Sequence, residues 1–271
     1  MMLTTTLDGL WALQVLSGIE CLAPELGLRP HLPSVETRES ALAHPVAWDL
    51  LDAGVINSAG EVDSAVLEWL TVLSRRDVAL LLHRGGPRML LARFAHWWVA
   101  IERSADLVRL SGVSTATSEQ SAGTVICDQI DELCGQRPAA AMRPVSINAD
   151  EMLGAVGDGE SLRKFLRANR FDHEQIRLLT LASDADRSDQ TSIVAIQSGV
   201  GGTSGRSHID GGALTVIDTP DGRLLAEHLN HDGAAWMVVT PGSAEAITAA
   251  VQKLMRRLPA QHNWYSHRKA V

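Results

Sequence analysis

The sequence predicts an α+β chain in which one order of elements occurs twice, over 1–137 and 138–271, as pseudo-repeats within a single domain. Each half reads as three helices, several strands and a closing helix. Within each half the apolar spacing changes from near four to two, the mark of helix giving way to strand. The composition is that of a globular chain able to bury a core, with 45% hydrophobic and 21% charged residues among 271.

Thr6 caps a first helix whose buried side is Leu10, Leu13, Val15 and Leu16, and Asp8 suits its first turn. Pro24 to Pro33 is a loop punctuated by Pro and Gly. A second helix is predicted over 36–53, disturbed at Pro45 and stopped before Gly54. A third covers 63–74, with Val66, Leu67, Leu70 and Leu73 at helical spacing. Strands follow over 78–83, 88–94, 97–102 and 107–110, the first two joined at Gly85-Gly86-Pro87. Thr117 with Gln120 forms a capping box for a closing helix over 117–133.

The second half repeats this order with little residue identity. Asn148 caps a short helix, and two more cover 160–168 and 172–183. Strands are expected over 192–197, 213–218, 223–227 and 235–239, with Thr219-Pro-Asp-Gly222 as a tight hairpin turn. Thr240-Pro241 opens the last helix, Pro standing at its first position. Two sheets of similar build then join edge to edge or pack together, which removes vulnerable edges.

Net charge is −8, which disfavours broad binding to nucleic acid or anionic membranes. The basic cluster Arg256, Arg257, His267, Arg268 and Lys269 reads as a solvated tail. Three cysteines without metal spacing indicate a reducing compartment, and Cys127 and Cys134 lie about 10 Å apart along a helix, too far for a disulfide. The N-terminus lacks a basic secretory leader, and the apolar runs are strand-sized, so no membrane insertion is expected.

Two segments invite a catalytic reading. Gly199, Gly201, Gly202 and Gly205 form a Gly-rich loop, but Arg206 stands where a phosphate loop needs Lys, and a strand follows it. A flexible hairpin loop, ordering on contact with a partner, fits better. His228 and His231 have the spacing of a helical metal pair but straddle a strand end and a turn. An enzyme dependent on nucleotide or metal and using these two segments is the rival reading. No cofactor is expected otherwise.

The tryptophans point elsewhere. Alternation puts Trp98 and Ala100 on one face of their strand, and Trp97, Val99 and Ile101 on the other. Trp236 and Val238 likewise oppose Met237 and Val239, and Leu224 opposes Leu225. Both sheet faces are therefore apolar, and each must be covered by the chain's own helices or by a partner. Trp98, Leu225, Trp236 and Met237 are the candidate partner contacts.

One pattern is familiar. Ala213-Leu-Thr-Val-Ile-Asp-Thr-Pro-Asp-Gly-Arg-Leu-Leu225, then Trp236-Met-Val-Val-Thr-Pro-Gly242, then a helix to Leu258-Pro259 resembles the C-terminal signature of the EspG family of mycobacterial type VII secretion. Leu50-Leu-Asp-Ala-Gly-Val-Ile with Ala59-Gly-Glu-Val-Asp extends the likeness into the first half. The resemblance implies a quasi-twofold mixed α/β single domain with a central antiparallel sheet and flanking helical bundles. It implies a cytosolic chaperone, without catalytic residues, that caps the PPE tip of a PE–PPE heterodimer, keeps the pair soluble and helps route it to its secretion system.

Overall fold

The two halves meet as neighbouring strands of one sheet. The computed structural model describes residues 2–155, 159–199, 207–231 and 233–269. The first half opens with β1 (Met2–Thr6) and α1 (Leu7–Ser17), where the Thr6 hydroxyl accepts from the Gly9 N–H and Gly18, at φ 69°, ends the helix. The helix predicted over 36–53 is broken into α2 (Arg38–Ala43) and α3 (Val46–Asp52), because Pro45 has no N–H for the ladder. α4 (Ser64–Arg75) starts at the Asp63 carboxylate. A meander of β2 (Val78–Arg84), β3 (Arg88–Phe94), β4 (Trp97–Ser104) and β5 (Leu107–Thr115) leads to α5 (Glu119–Cys134). The α5 capping box is Ser118 with Ser121, one residue beyond the expected Thr117 and Gln120.

The second half runs β6 (Val145–Asn148), α6 (Ala149–Ala155), α7 (Gly159–Ala168), α8 (His173–Ala182), β7 (Asp189–Ser198) and β8 (Ser207–Ile209). It ends with β9 (Leu214–Thr219), β10 (Gly222–His231), β11 (Ala234–Pro241) and α9 (Ala244–Arg256). Pro241 closes β11 rather than opening α9. The Gly242 N–H donates to the Arg223 carbonyl at 2.8 Å, which keeps the chain in the sheet, and Ser243 becomes the helix cap. β1 and β6 were not foreseen, since short edge strands take their conformation from a distant partner.

The strand order is β1-β5-β4-β3-β2-β7-β9-β10-β11-β6, with β8 pairing β7. Read outward from the β2·β7 junction, both halves place their strands in the same order, with the opening strand outermost. The junction is antiparallel, from Val78 opposite Gln197 to Arg84 opposite Thr191. One sheet face is covered at its centre by α5 and α9, over Leu80, Leu82, Ile193, Ala195 and Leu214. The other face is covered towards its two ends. α1 to α4 pack over Ala79, Leu90 and Ile101, and α6 to α8 over Ile217, Leu224 and Val239.

Two buried arginines tie distant segments to this sheet. Arg223 donates to Asp218 at 2.7 and 3.1 Å and to the Gly135 carbonyl at 2.6 Å, clasping the connection between the halves. Gly222, at φ 121°, lies against the Ala140 backbone where a Cβ would sit 2.8 Å away, so this turn requires glycine. The familiar Asp218-Thr-Pro-Asp-Gly-Arg223 block is therefore a structural clasp. Arg93 donates to the carbonyls of Ala95, Trp264, Tyr265 and His267, and Asp77 accepts from the Lys269 N–H at 2.9 Å. Contrary to expectation, the basic C-terminal segment is docked as far as Lys269. The charges of Arg256 and Arg257 are held by Glu119 and Asp210.

Candidate partner-docking face

The bundle-covered face is open at its middle. On β2, alternation puts Leu81 and His83 on this face; on β7 it puts Ser192 and Val194 there, with Leu81 directly opposite Val194. Thr215 of β9 lies opposite Ser192, and Ile209 of β8 opposite Ile196. α4 lies over β3 to β5, and α8 over β9, with Gln190 donating to the Ala182 carbonyl at the α8 end. Between them Leu81, Ser192, Val194 and Thr215 are half-buried, His83 is exposed, and Ile209 is 61% exposed. The result is an apolar strip, Leu81–Val194–Ile209, with a hydroxyl and imidazole rim. Such a surface is unfavourable when wet and is stabilised under a complementary apolar surface, with the rim supplying hydrogen bonds.

Two of the expected contact residues do not reach any surface. Trp98 and Leu225 are each 1% exposed, packed beneath α5 and α9 with Ala100, Ile126 and Val251. They are core residues, because the face they occupy is the one the closing helices cover. Met237 and Trp236 lie on opposite faces. Met237 packs against the α6–α8 core, whereas Trp236 pairs with Leu229 and shares its face with Val238, beyond α9. Trp236, Leu229 and Val238 are half-buried, a second apolar patch beside the Glu227–Lys253 ion pair.

Trp97 was passed over in favour of its neighbour. It is 43% exposed and opens onto a cavity of about 340 Å³ lined by Trp69, Val72, Gly112 and Val113. The available signal was its position as first residue of β4, directly after the tight turn at Ala95 and His96. Leu81, Val194 and Ile209 were also missed. Their strands read as uniformly apolar, which does not say which face the helices leave open.

The segments with a catalytic reading sit differently. Gly199, at φ 72°, follows β7, while Gly201, Gly202 and Gly205 lie outside the described residues. β8 then pairs back onto β7, so the segment joins antiparallel strands and does not lead into a helix N-terminus that could hold phosphate. β10 continues to His231, so His228 lies inside a strand and not at its end. Burial pushes the His228 imidazole below its ordinary value. Among the described residues no group of three His, Cys, Asp or Glu side chains gathers to hold a metal ion. Cys127 and Cys134 are free thiols that burial pushes upward, away from reactive thiolate. No helix among the described residues is long and apolar enough to cross a membrane.

Comparison with known proteins places the whole chain. The family model for the EspG family matches residues 6–253. The chain is 46% identical to the ESX-2 secretion-associated protein EspG2 of Mycobacterium tuberculosis, over 100% of both chains. It is 28% identical to the ESX-3 secretion-associated protein EspG3 of Mycolicibacterium smegmatis, over 96% of this chain and 88% of the relative. Among solved structures, the Mycobacterium tuberculosis type VII secretion system chaperone EspG5, in complex with a PE25-PPE41 dimer, shares the fold. Its TM-score is 0.76 at 22% identity, over 98% of this chain and 100% of that one.

Proposed function

The chain belongs to the EspG family, and from that premise we propose that it is a cytosolic chaperone, and not an enzyme, that binds a specific PE–PPE heterodimer at the PPE tip. It keeps the pair soluble and helps deliver it to a type VII secretion system. The observation that carries this reading is the Leu81–Val194–Ile209 strip, left half-covered between the helical bundles. Its span across β2, β7 and β8 suits the end of a helical partner. An exported helical pair with an apolar tip self-associates unless the tip is shielded, and a sheet bounded by bundles shields it without any bond being made or broken. Trp236, on the opposite face, is a candidate for a separate contact, and Met237, packed against the α6–α8 core, is not placed on the strip. The mirrored strand order supports treating 1–137 and 138–271 as pseudo-repeats of one domain.

A cap of this kind buries about 1,200–2,000 Å² in total. It must also release its cargo, which favours a strip of modest apolar area over the extensive apolar surface of an obligate dimer. Co-expression with a cognate PE–PPE pair is expected to give a single heterotrimer peak on size-exclusion chromatography. Separate elution with every PE–PPE pair of the host genome would refute the proposal.

A further inference from the structure

A second surface differs from the strip in chemistry and position. Arg163 and Arg167 of α7, Arg177 of α8, and Arg187 just beyond α8 line a cleft of about 390 Å³, with Ile176 and the carboxylates of Asp184 and Asp221 also among its walls, so arginines outnumber carboxylates there. Arg177 is neutralised by Glu174 and Asp221. Among the described residues, the guanidinium groups of Arg163, Arg167 and Arg187 have no hydrogen bond or ion pair, and all three residues are exposed. Arg163 and Arg167 stand one helical turn apart, where like charges repel, so the cluster costs helix stability unless something neutralises it. This convergence of positive charge occurs on a chain whose net charge is −8.

We propose that this cleft docks an acidic peptide segment carrying an apolar residue. Guanidinium groups hold carboxylates by paired, charge-assisted hydrogen bonds, and three uncommitted forks offer sites for two or three Asp or Glu side chains. Ile176 supplies the apolar contact. The size of the cleft suits a few side chains of an extended peptide. Long polyanions are disfavoured, because the field of the rest of the molecule repels a chain of phosphates that extends beyond the cleft. The proposal does not depend on the chaperone reading, since the cleft lies apart from the strip and its evidence is charge and not apolar exposure.

The test uses a fluorescein-labelled dodecapeptide of Glu and Asp with one central Leu, titrated with the full chain and followed by anisotropy. Saturable binding that weakens steeply with added NaCl is expected. The double variant Arg163→Gln/Arg167→Gln is expected to weaken it at least about ten-fold. Lys164→Gln, on the same helix but outside the cleft lining, serves as the control and is expected to change affinity less than about two-fold. Melting curves check that all three proteins are folded. Absence of saturable binding would overturn the proposal. So would equal loss in the Lys164 variant, or binding of a single-stranded DNA dodecamer as tight as the peptide's.

Discussion

An Arg93→Ala variant is expected to lose about 3–5 kcal/mol of unfolding free energy and to free the C-terminal segment from the sheet. Arg93 is fully buried, and burial pushes its guanidinium down to about 10, so it is still charged at neutral pH. Four backbone carbonyls and Asp77, at 4.0 Å, surround that charge. Removing the guanidinium leaves the carbonyls of Trp264 and Tyr265 without their donor, the His267 carbonyl with Arg268 alone, and Asp77 as a buried carboxylate facing one charge fewer. Trp264, itself buried and donating to Glu119 at 3.0 Å, is then anchored from one side only. Urea unfolding measures the energy, and hydrogen exchange over 264–269 measures the release. A loss under about 1 kcal/mol with those amides still protected would show that the segment is held by other means.

Trp98→Ala is expected to cost about 3–5 kcal/mol, and Trp236→Ala far less. Trp98 fills the space between the sheet and the α5/α9 pair, and its loss opens a cavity that neighbouring β-branched and leucine side chains cannot close. Trp236 gives up only a half-buried contact on β11. Thermal melting of the two variants side by side makes the comparison. Similar melting temperatures would mean that the closing helices pack more loosely over Trp98 than the geometry indicates. A partner-capture defect in Trp98→Ala is therefore to be read as lost folding, whereas the same defect in Trp236→Ala would mark a surface contact.

Much of the fold was legible because its information is local. The period-two runs at 78–83 and 88–94, the Pro45 interruption and the Thr219-Pro-Asp-Gly222 turn each depend on neighbouring residues, and each lies where the pattern put it. What was not legible depends on residues far apart in sequence. β1 and β6 are strands only because β5 and β11 lie beside them. Arg93 alternates with apolar residues on β3 and looks like an outward charge, and only the return of the chain 171 residues later makes it a latch.

The open strip failed to show for a related reason. Alternation identified two apolar faces correctly but could not say where the helices would leave one of them uncovered. Choosing by side-chain size led to Trp98 and Leu225, which lie under α5 and α9. The open strip is built from ordinary residues, Leu81, Val194 and Ile209, which position alone sets apart. The Asp218-to-Arg223 part of the block that carried the family likeness is a clasp for the chain, and none of Leu81, Val194 and Ile209 belongs to that block.

The most direct test of the docking face is the elution of a Val194→Asp/Ile209→Asp variant co-expressed with a PE–PPE pair that the unaltered chain captures. Both positions carry solvent-accessible side chains, so the variant is expected to keep its melting temperature to within a few degrees. The two carboxylates would be desolvated beneath any cap, and the heterotrimer peak is expected to vanish. A folded variant that still elutes as an intact heterotrimer would contradict the assignment of the strip as the surface that holds the partner.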